Sequence, residues 1–150
     1  MFKDKLKKIQ IKDFTKFKDL FHSLIIITPN EKLSLAVKLM QIHKISQIPV
    51  FENNENIGTI DESLLIEILG QQINFDQSYV KDYMSLPLPS LALNSNAYEA
   101  YKIFLDGNSG IIITSDNKPS NIITKIDFIN FFVIDSSDFE YVKFDIGSHI

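Results

Sequence analysis

The stretch that decides the fold is Ile45-Ser46-Gln47-Ile48-Pro49-Val50-Phe51, followed after a polar turn by Ile57-Gly58-Thr59-Ile60-Asp61-Glu62-Ser63-Leu64-Leu65. Ile48 to Phe51 and Ile57 to Ile60 are short apolar runs rich in β-branched residues. They flank Glu52-Asn53-Asn54-Glu55-Asn56, so the pattern predicts a β-hairpin. Asp61 then stands in N-cap position before a helix whose apolar face is Leu64, Leu65, Ile68 and Leu69. Upstream, Leu24 to Ile27 reads as a strand. Thr28-Pro29-Asn30-Glu31 has capping-box spacing with proline at the first helical position. Leu33, Leu35, Val37, Leu39, Met40 and Ile42 give the helix that follows a wide apolar face as far as His43. The predicted order is strand, helix, strand, strand, helix.

The same order returns downstream. Leu91 and Leu93 begin it, Ala97 to Leu105 is helical, and Ile111 to Ile113 and Asn121 to Ile123 form a hairpin around Ser115-Asp116-Asn117-Lys118-Pro119. Lys125 to Val133 closes it. Ala36 aligns with Ala100 and Met40 with Phe104; after a one-residue loss in the loop, Ser46 aligns with Ser109, Gly58 with Asn121 and Asp61 with Thr124. Neither unit is large enough to bury a core alone. The repeat therefore predicts a mixed α/β (α+β) fold in which two β-α-β-β-α motifs pack with pseudo-twofold symmetry. Clefts at the seam of such repeats are where small-molecule sites are expected. The divisions read from the chain are a basic amphipathic N-terminal segment at 1–22, a first motif at 23–70, a connector at 71–79, a second motif at 80–134 and a tail at 135–150.

The quoted run resembles the signature of the cystathionine-β-synthase (CBS) motif, and Asn121-Ile122-Ile123-Thr124-Lys125-Ile126-Asp127-Phe128-Ile129 resembles it again in the second half. The resemblance spans roughly residues 23 to 134 and identifies a tandem CBS pair, or Bateman module. Gly58-Thr59-Ile60-Asp61-Glu62-Ser63, Val80-Lys81-Asp82-Tyr83-Met84 and Ile123 to Phe131 are similar to the C-terminal regulatory domain of cystathionine β-synthases. No catalytic portion with a pyridoxal-phosphate lysine accompanies them.

What the resemblance implies is a non-catalytic regulatory module that binds an adenosyl ligand. The family's Thr-x-x-Asp step falls on Thr124 and Asp127, where a carboxylate accepts from both ribose hydroxyls and a helix N-terminus suits a phosphate or carboxylate. By the family's pairing, Ile25, Ile45 and the main chain near Ser46 would complete the adenine pocket with Ile122. The first half carries Asp61 and Leu64 at the same step, so its cleft lacks the ribose acceptor. S-adenosylmethionine is the first expected ligand and AMP or adenosine the next, bound in one cleft of a homodimer that controls a partner enzyme. A ligand-free dimerisation module is the alternative, and Thr124 to Asp127 is equally a capping-box spacing.

Composition narrows the rest. The chain of 150 residues contains no cysteine, so disulfides, thiol nucleophiles and thiolate metal sites are excluded. All 15 basic residues are lysine. Arginine is the usual reader of phosphates and base edges, and its lack, with a net charge of -4, argues against nucleic-acid or triphosphate recognition. No apolar run approaches the roughly 20 residues of a membrane span, and no secretory signal opens the chain, so a cytoplasmic address is the expectation. His22, His43 and His149 have no acidic or cysteine partner at ligand spacing, which predicts no metal site. Ser46 and Ser109 lack an activating context, which predicts no enzyme. Phe128, Phe131 and Phe132 read as core or dimer surface. Residues 1 to 18 hold seven lysines against two aspartates, with Phe2, Leu6, Ile9, Phe14, Phe17 and Phe21 at helical spacings. One or two short helices are predicted there, with three roles open: a solvated face, a membrane-surface helix, or a segment that packs on a partner or on the module itself.

Overall fold

The computed structural model describes residues 1–17 and 22–133. The tail at 135–150, with His149, and the helical position Phe21 lie outside them. In chain order the elements are α1 (Phe2–Lys7), β1 (His22–Ser23), α2 (Leu33–His43), β2 (Gln47–Glu52), β3 (Glu55–Asp61), α3 (Glu62–Gly70), β4 (Ser90–Ala92), α4 (Ala97–Leu105), β5 (Gly110–Ser115), β6 (Lys118–Thr124) and α5 (Lys125–Val133). This is the mixed α+β fold expected of two CBS motifs. The chain forms two compact units, one of Leu24–Pro89 and one of Met1–Ser23 with Ser90–Ile150. No helix among the described residues is long and apolar enough to cross a membrane.

In the first unit β2 and β3 pair antiparallel, and Ile48, Val50 and Ile60 pack with Leu33, Ala36, Met40 and Ile68 of the flanking helices. The hairpin turns on Asn53 and Asn54, both with positive φ (53° and 65°), which is the type I′ geometry that matches strand twist and that asparagine tolerates. Asp61 caps α3 as its position predicts: the Leu64 N–H donates to Asp61 Oδ1 at 2.8 Å.

Helix α2 starts later than its capping-box spacing suggests, at Leu33 rather than beside Pro29. The connector explains the shift. The Leu33 N–H donates to the Ser78 carbonyl at 2.9 Å and the Ser34 N–H to Phe75 at 3.1 Å. Val80 and Lys81 donate in return to the carbonyls of Glu31 and Pro29. The free N–H groups of the helix start are thus met by main chain, and Thr28 to Glu31 runs as a turn whose backbone pairs with the connector. Ile73, Phe75, Tyr83 and Met84 press on the same core, and Val80 is fully buried within it.

The second unit holds a four-stranded sheet in the order β1-β6-β5-β4, with β4 parallel to β5 and the other pairs antiparallel. Asp116 and Asn117 repeat the two positive-φ residues of the first hairpin, and a bulge at Ile113/Thr114 repeats the one at Val50/Phe51. The N-terminal segment packs on the module itself. Leu6, Ile11 and Phe14 are buried to 1% exposure or less among Ala97, Ala100, Ile111, Ile113, Ile123 and Phe128. Its backbone is tied in as well: the Ile11 and Lys12 N–H groups donate to the Ser95 and Leu93 carbonyls, and Ala97 donates to Ile9. Phe14 stacks on Phe131 with ring centroids 4.1 Å apart, and Phe2 meets Tyr101 and Phe132 edge-on. Phe128 is a core residue, with Phe131 and Phe132 packed at its border.

The strand expected at Leu24 to Ile27 is also redistributed. Pairing occurs at His22–Ser23, against Ile122 and Asn121 of β6, and at Ile27, which bridges to Val50; Leu24 to Ile26 pair with neither. Ser23 and Leu24 are where the chain passes from one compact unit to the other. Only Ile27 of the apolar run is therefore paired, and β1 forms just ahead of it.

Candidate functional site

Strand β6 ends at Thr124 and α5 begins at the next residue, so the β6–α5 junction presents a helix N-terminus at the edge of a sheet. Asp127, one turn in, points its carboxylate back toward that junction. Its Oδ2 accepts from the Thr124 N–H at 2.8 Å and from the Thr124 hydroxyl at 2.7 Å, while the Asp127 N–H reaches Thr124 Oγ1 at 3.4 Å. This is the reciprocal bonding of a capping box, with a carboxylate at the positive end of the helix dipole. The Thr-x-x-Asp spacing therefore does form a cap, and the same two side chains remain the polar groups of the junction.

The second carboxylate oxygen has a partner that the sequence reading did not supply. Asp127 Oδ1 lies 2.8 Å from Nε2 of His22 on β1. A carboxylate only accepts, so Nε2 carries the proton in this contact. Asp127 is 3% exposed, whereas the His22 side chain is 46% exposed. Burying a carboxylate is costly unless it is bonded, and here both oxygens are occupied. The His22 backbone is fixed independently: it pairs with Ile122, and its carbonyl accepts from Asn121 Nδ2 at 3.0 Å.

Of the residues singled out in the sequence, Thr124, Asp127 and Ile122 lie together in one unit, with Ile122 nearly buried on β6. Ile25, Ile45 and Ser46 lie in the other unit. There Ile25 and Ile45 are half-buried against the first-motif core, and the Ser46 carbonyl accepts from the Glu62 N–H at the start of α3. His22 was set aside for want of an acidic partner at ligand spacing, because its partner is 105 residues away. A signal was nonetheless present. Ile11-Lys12-Asp13-Phe14 matches Val80-Lys81-Asp82-Tyr83, so each motif is preceded by the same short turn. Both open 3-10 segments, Ile11–Lys16 within the second-motif unit and Val80–Asp82 within the first-motif unit.

The equivalent junction of the first motif is built differently. Asp61 caps α3 alone, and the position corresponding to Asp127 is Leu64. His22 corresponds to Ser85, whose hydroxyl donates to the Thr59 carbonyl at 3.1 Å. The Thr59 hydroxyl, buried in its turn, donates to the Leu86 carbonyl at 2.8 Å. Both hydroxyls of that corner are bound to main chain, and no carboxylate stands one turn into the helix.

Comparison with known proteins agrees with this architecture. The chain matches the CBS domain twice, over residues 17–70 and 80–134. No curated protein matches it. Among solved structures it is similar to a putative signal-transduction protein with CBS domains from Burkholderia ambifaria, with a TM-score of 0.76 at 16% identity, covering 85% of this chain and 96% of that one. It is also similar to a CBS-domain-containing protein from Agrobacterium tumefaciens, with a TM-score of 0.69 at 19% identity, covering 81% and 91%. A third is the CBS domain of a membrane protein from Sphaerobacter thermophilus, with a TM-score of 0.64 at 19% identity, covering 85% and 90%. With both motifs matched across most of its length and the doubled strand-helix-hairpin-helix pattern in place, the chain belongs to the CBS-domain family as a tandem pair.

Proposed function

We propose that this CBS pair is a regulatory module that takes one adenosyl ligand, with S-adenosylmethionine first and AMP or adenosine next, through the β6–α5 junction of its second motif. The observation that carries the reading is the difference between the two junctions: Thr124 and Asp127 stand where the first motif has Asp61 and Leu64. A carboxylate beside free N–H groups at a helix start can accept from a ribose diol and leave the helix end to an anionic or carboxylate group. Ile122, on the same strand as Thr124, remains the proposed apolar neighbour of the adenine. The regulated partner, of which a cystathionine β-synthase-type enzyme is the first choice, would respond through the ligand's differential affinity for two arrangements of the module.

Titration calorimetry with S-adenosylmethionine, AMP, ADP, ATP and adenosine tests the reading. One ligand should bind, and Asp127→Ala should weaken it at least about tenfold, the size expected for hydrogen bonds to a charged group. Silence with all five would instead favour a ligand-free association module. Val37, Ile42, Ile66 and Leu69, exposed along α2 and α3, support that second reading and a homodimer.

A further inference from the structure

We propose that His22 is a built-in competitor for the ligand, a side-chain gate that must leave Asp127 before a ribose can occupy it; the inference rests on the adenosyl reading above. Asp127 Oδ2 is filled by the main-chain and hydroxyl donors of Thr124, which belong to the cap of α5. The oxygen left for a ligand is Oδ1, and the His22 imidazole sits on it at 2.8 Å. With Asp127 only 3% exposed, an incoming hydroxyl pair meets the imidazole before it meets the carboxylate.

The gate is able to open without unfolding anything. Strand β1 is held by its pairing to β6 and by the Asn121 amide, and neither contact involves the imidazole. The ring is already about half solvated, so water replaces the carboxylate when the side chain swings out. The cap through Oδ2 persists, and α5 keeps its N-terminus. The first motif has no such device, because Ser85 is bonded to Thr59 and Leu64 offers no acceptor. A ligand that opens the gate also frees His22, the last residue of the N-terminal segment whose Leu6, Ile11 and Phe14 lie in the second-motif core. Occupancy of the site is thus read out as exposure of the His22 ring.

The test is titration of S-adenosylmethionine and of AMP into the full chain and into His22→Ala, together with side-chain NMR of His22. The variant should bind about five to ten times more tightly, since the competing charge-assisted bond is gone and its half-exposed position discounts the full value. In the unsubstituted protein the His22 ring signals should move to those of a solvated imidazole at saturating ligand. Equal or weaker binding by His22→Ala, or ring signals that stay fixed while ligand binds, would overturn the gate and leave the adenosyl reading standing. Binding by neither protein would overturn both.

Discussion

Replacing Phe14 with alanine tests whether the basic N-terminal segment is part of the second-motif core or a helix laid on its surface. Phe14 is 0% exposed and stacks on Phe131 at 4.1 Å and 15° between planes, with Phe128 at 6.0 Å on the same cluster. Truncation removes most of the roughly 150 Å² that a buried aromatic side chain covers, and at about 25 cal/mol per Å² that is about 4 kcal/mol. Large-to-small substitutions at buried phenylalanines cost about 3–5 kcal/mol, which agrees. For a chain of this length the shift in melting temperature should be about 8–16 °C. Urea and thermal unfolding followed by circular dichroism would measure it, with Phe2→Ala as the internal comparison. Phe2 is 48% exposed and meets Tyr101 and Phe132 only edge-on, so its loss should cost about 1 kcal/mol. A Phe14→Ala penalty as small as that of Phe2→Ala would refute the placement of the segment in the core.

Two further substitutions probe the junctions. Asp61→Ala removes the carboxylate that accepts from the Leu64 N–H and should cost about 1 kcal/mol in urea unfolding while leaving adenosyl affinity within twofold, whereas a tenfold loss of affinity would move the ligand to the first motif. Gly58→Ala drives a Cβ into Met84 Sδ and places it 3.0 Å from the Ser85 carbonyl; the flexible thioether can yield but the backbone cannot, so about 1–3 kcal/mol of destabilisation is expected, and a neutral variant would refute the close approach of this strand to Met84 and Ser85.

The elements that local chemistry determines were legible in the sequence, and those set by distant main chain were not. Helix α4 begins and ends, and α5 begins, where apolar spacing places them, with Asn96 capping the first and Thr124 with Asp127 the second. The hairpin turns followed from Asn53-Asn54 and Asp116-Asn117, residues that tolerate positive φ. Helix α2 was misplaced at its start because its first N–H groups bond to Ser78 and Phe75, some 40 residues later in the chain, and no local signal encodes that. The run from Leu24 to Ile27 looked like one strand because apolar spacing is blind to which residues find a pairing partner. The same blindness hid His22. Its functional neighbour is defined by the register of β1 on β6, which places it opposite Ile122 and over Asp127, and register is a long-range property.

That register also explains how a repeated backbone can produce one corner with a buried carboxylate and one without. Ser85 bridges Thr59 in the first-motif unit as His22 pairs with Ile122 in the second, so the two backbones reach equivalent places. The side chains carried there differ at every step: Ser85 against His22, Thr59 against Ile122, Asp61 against Thr124, Leu64 against Asp127. In the first motif the hydroxyls of Ser85 and Thr59 bond to carbonyls, a neutral and short-range closure that leaves nothing to exchange. In the second, the buried group is a carboxylate, and one of its partners is a half-exposed ring that water can replace. A neutral hydroxyl bonded to main chain has little reason to open, because an unpaired buried group would be left behind. A carboxylate whose partner reaches solvent can trade that partner for another donor. The exchangeable partner of the second corner therefore follows from where the repeat diverged, and the backbone it shares contributes only the place.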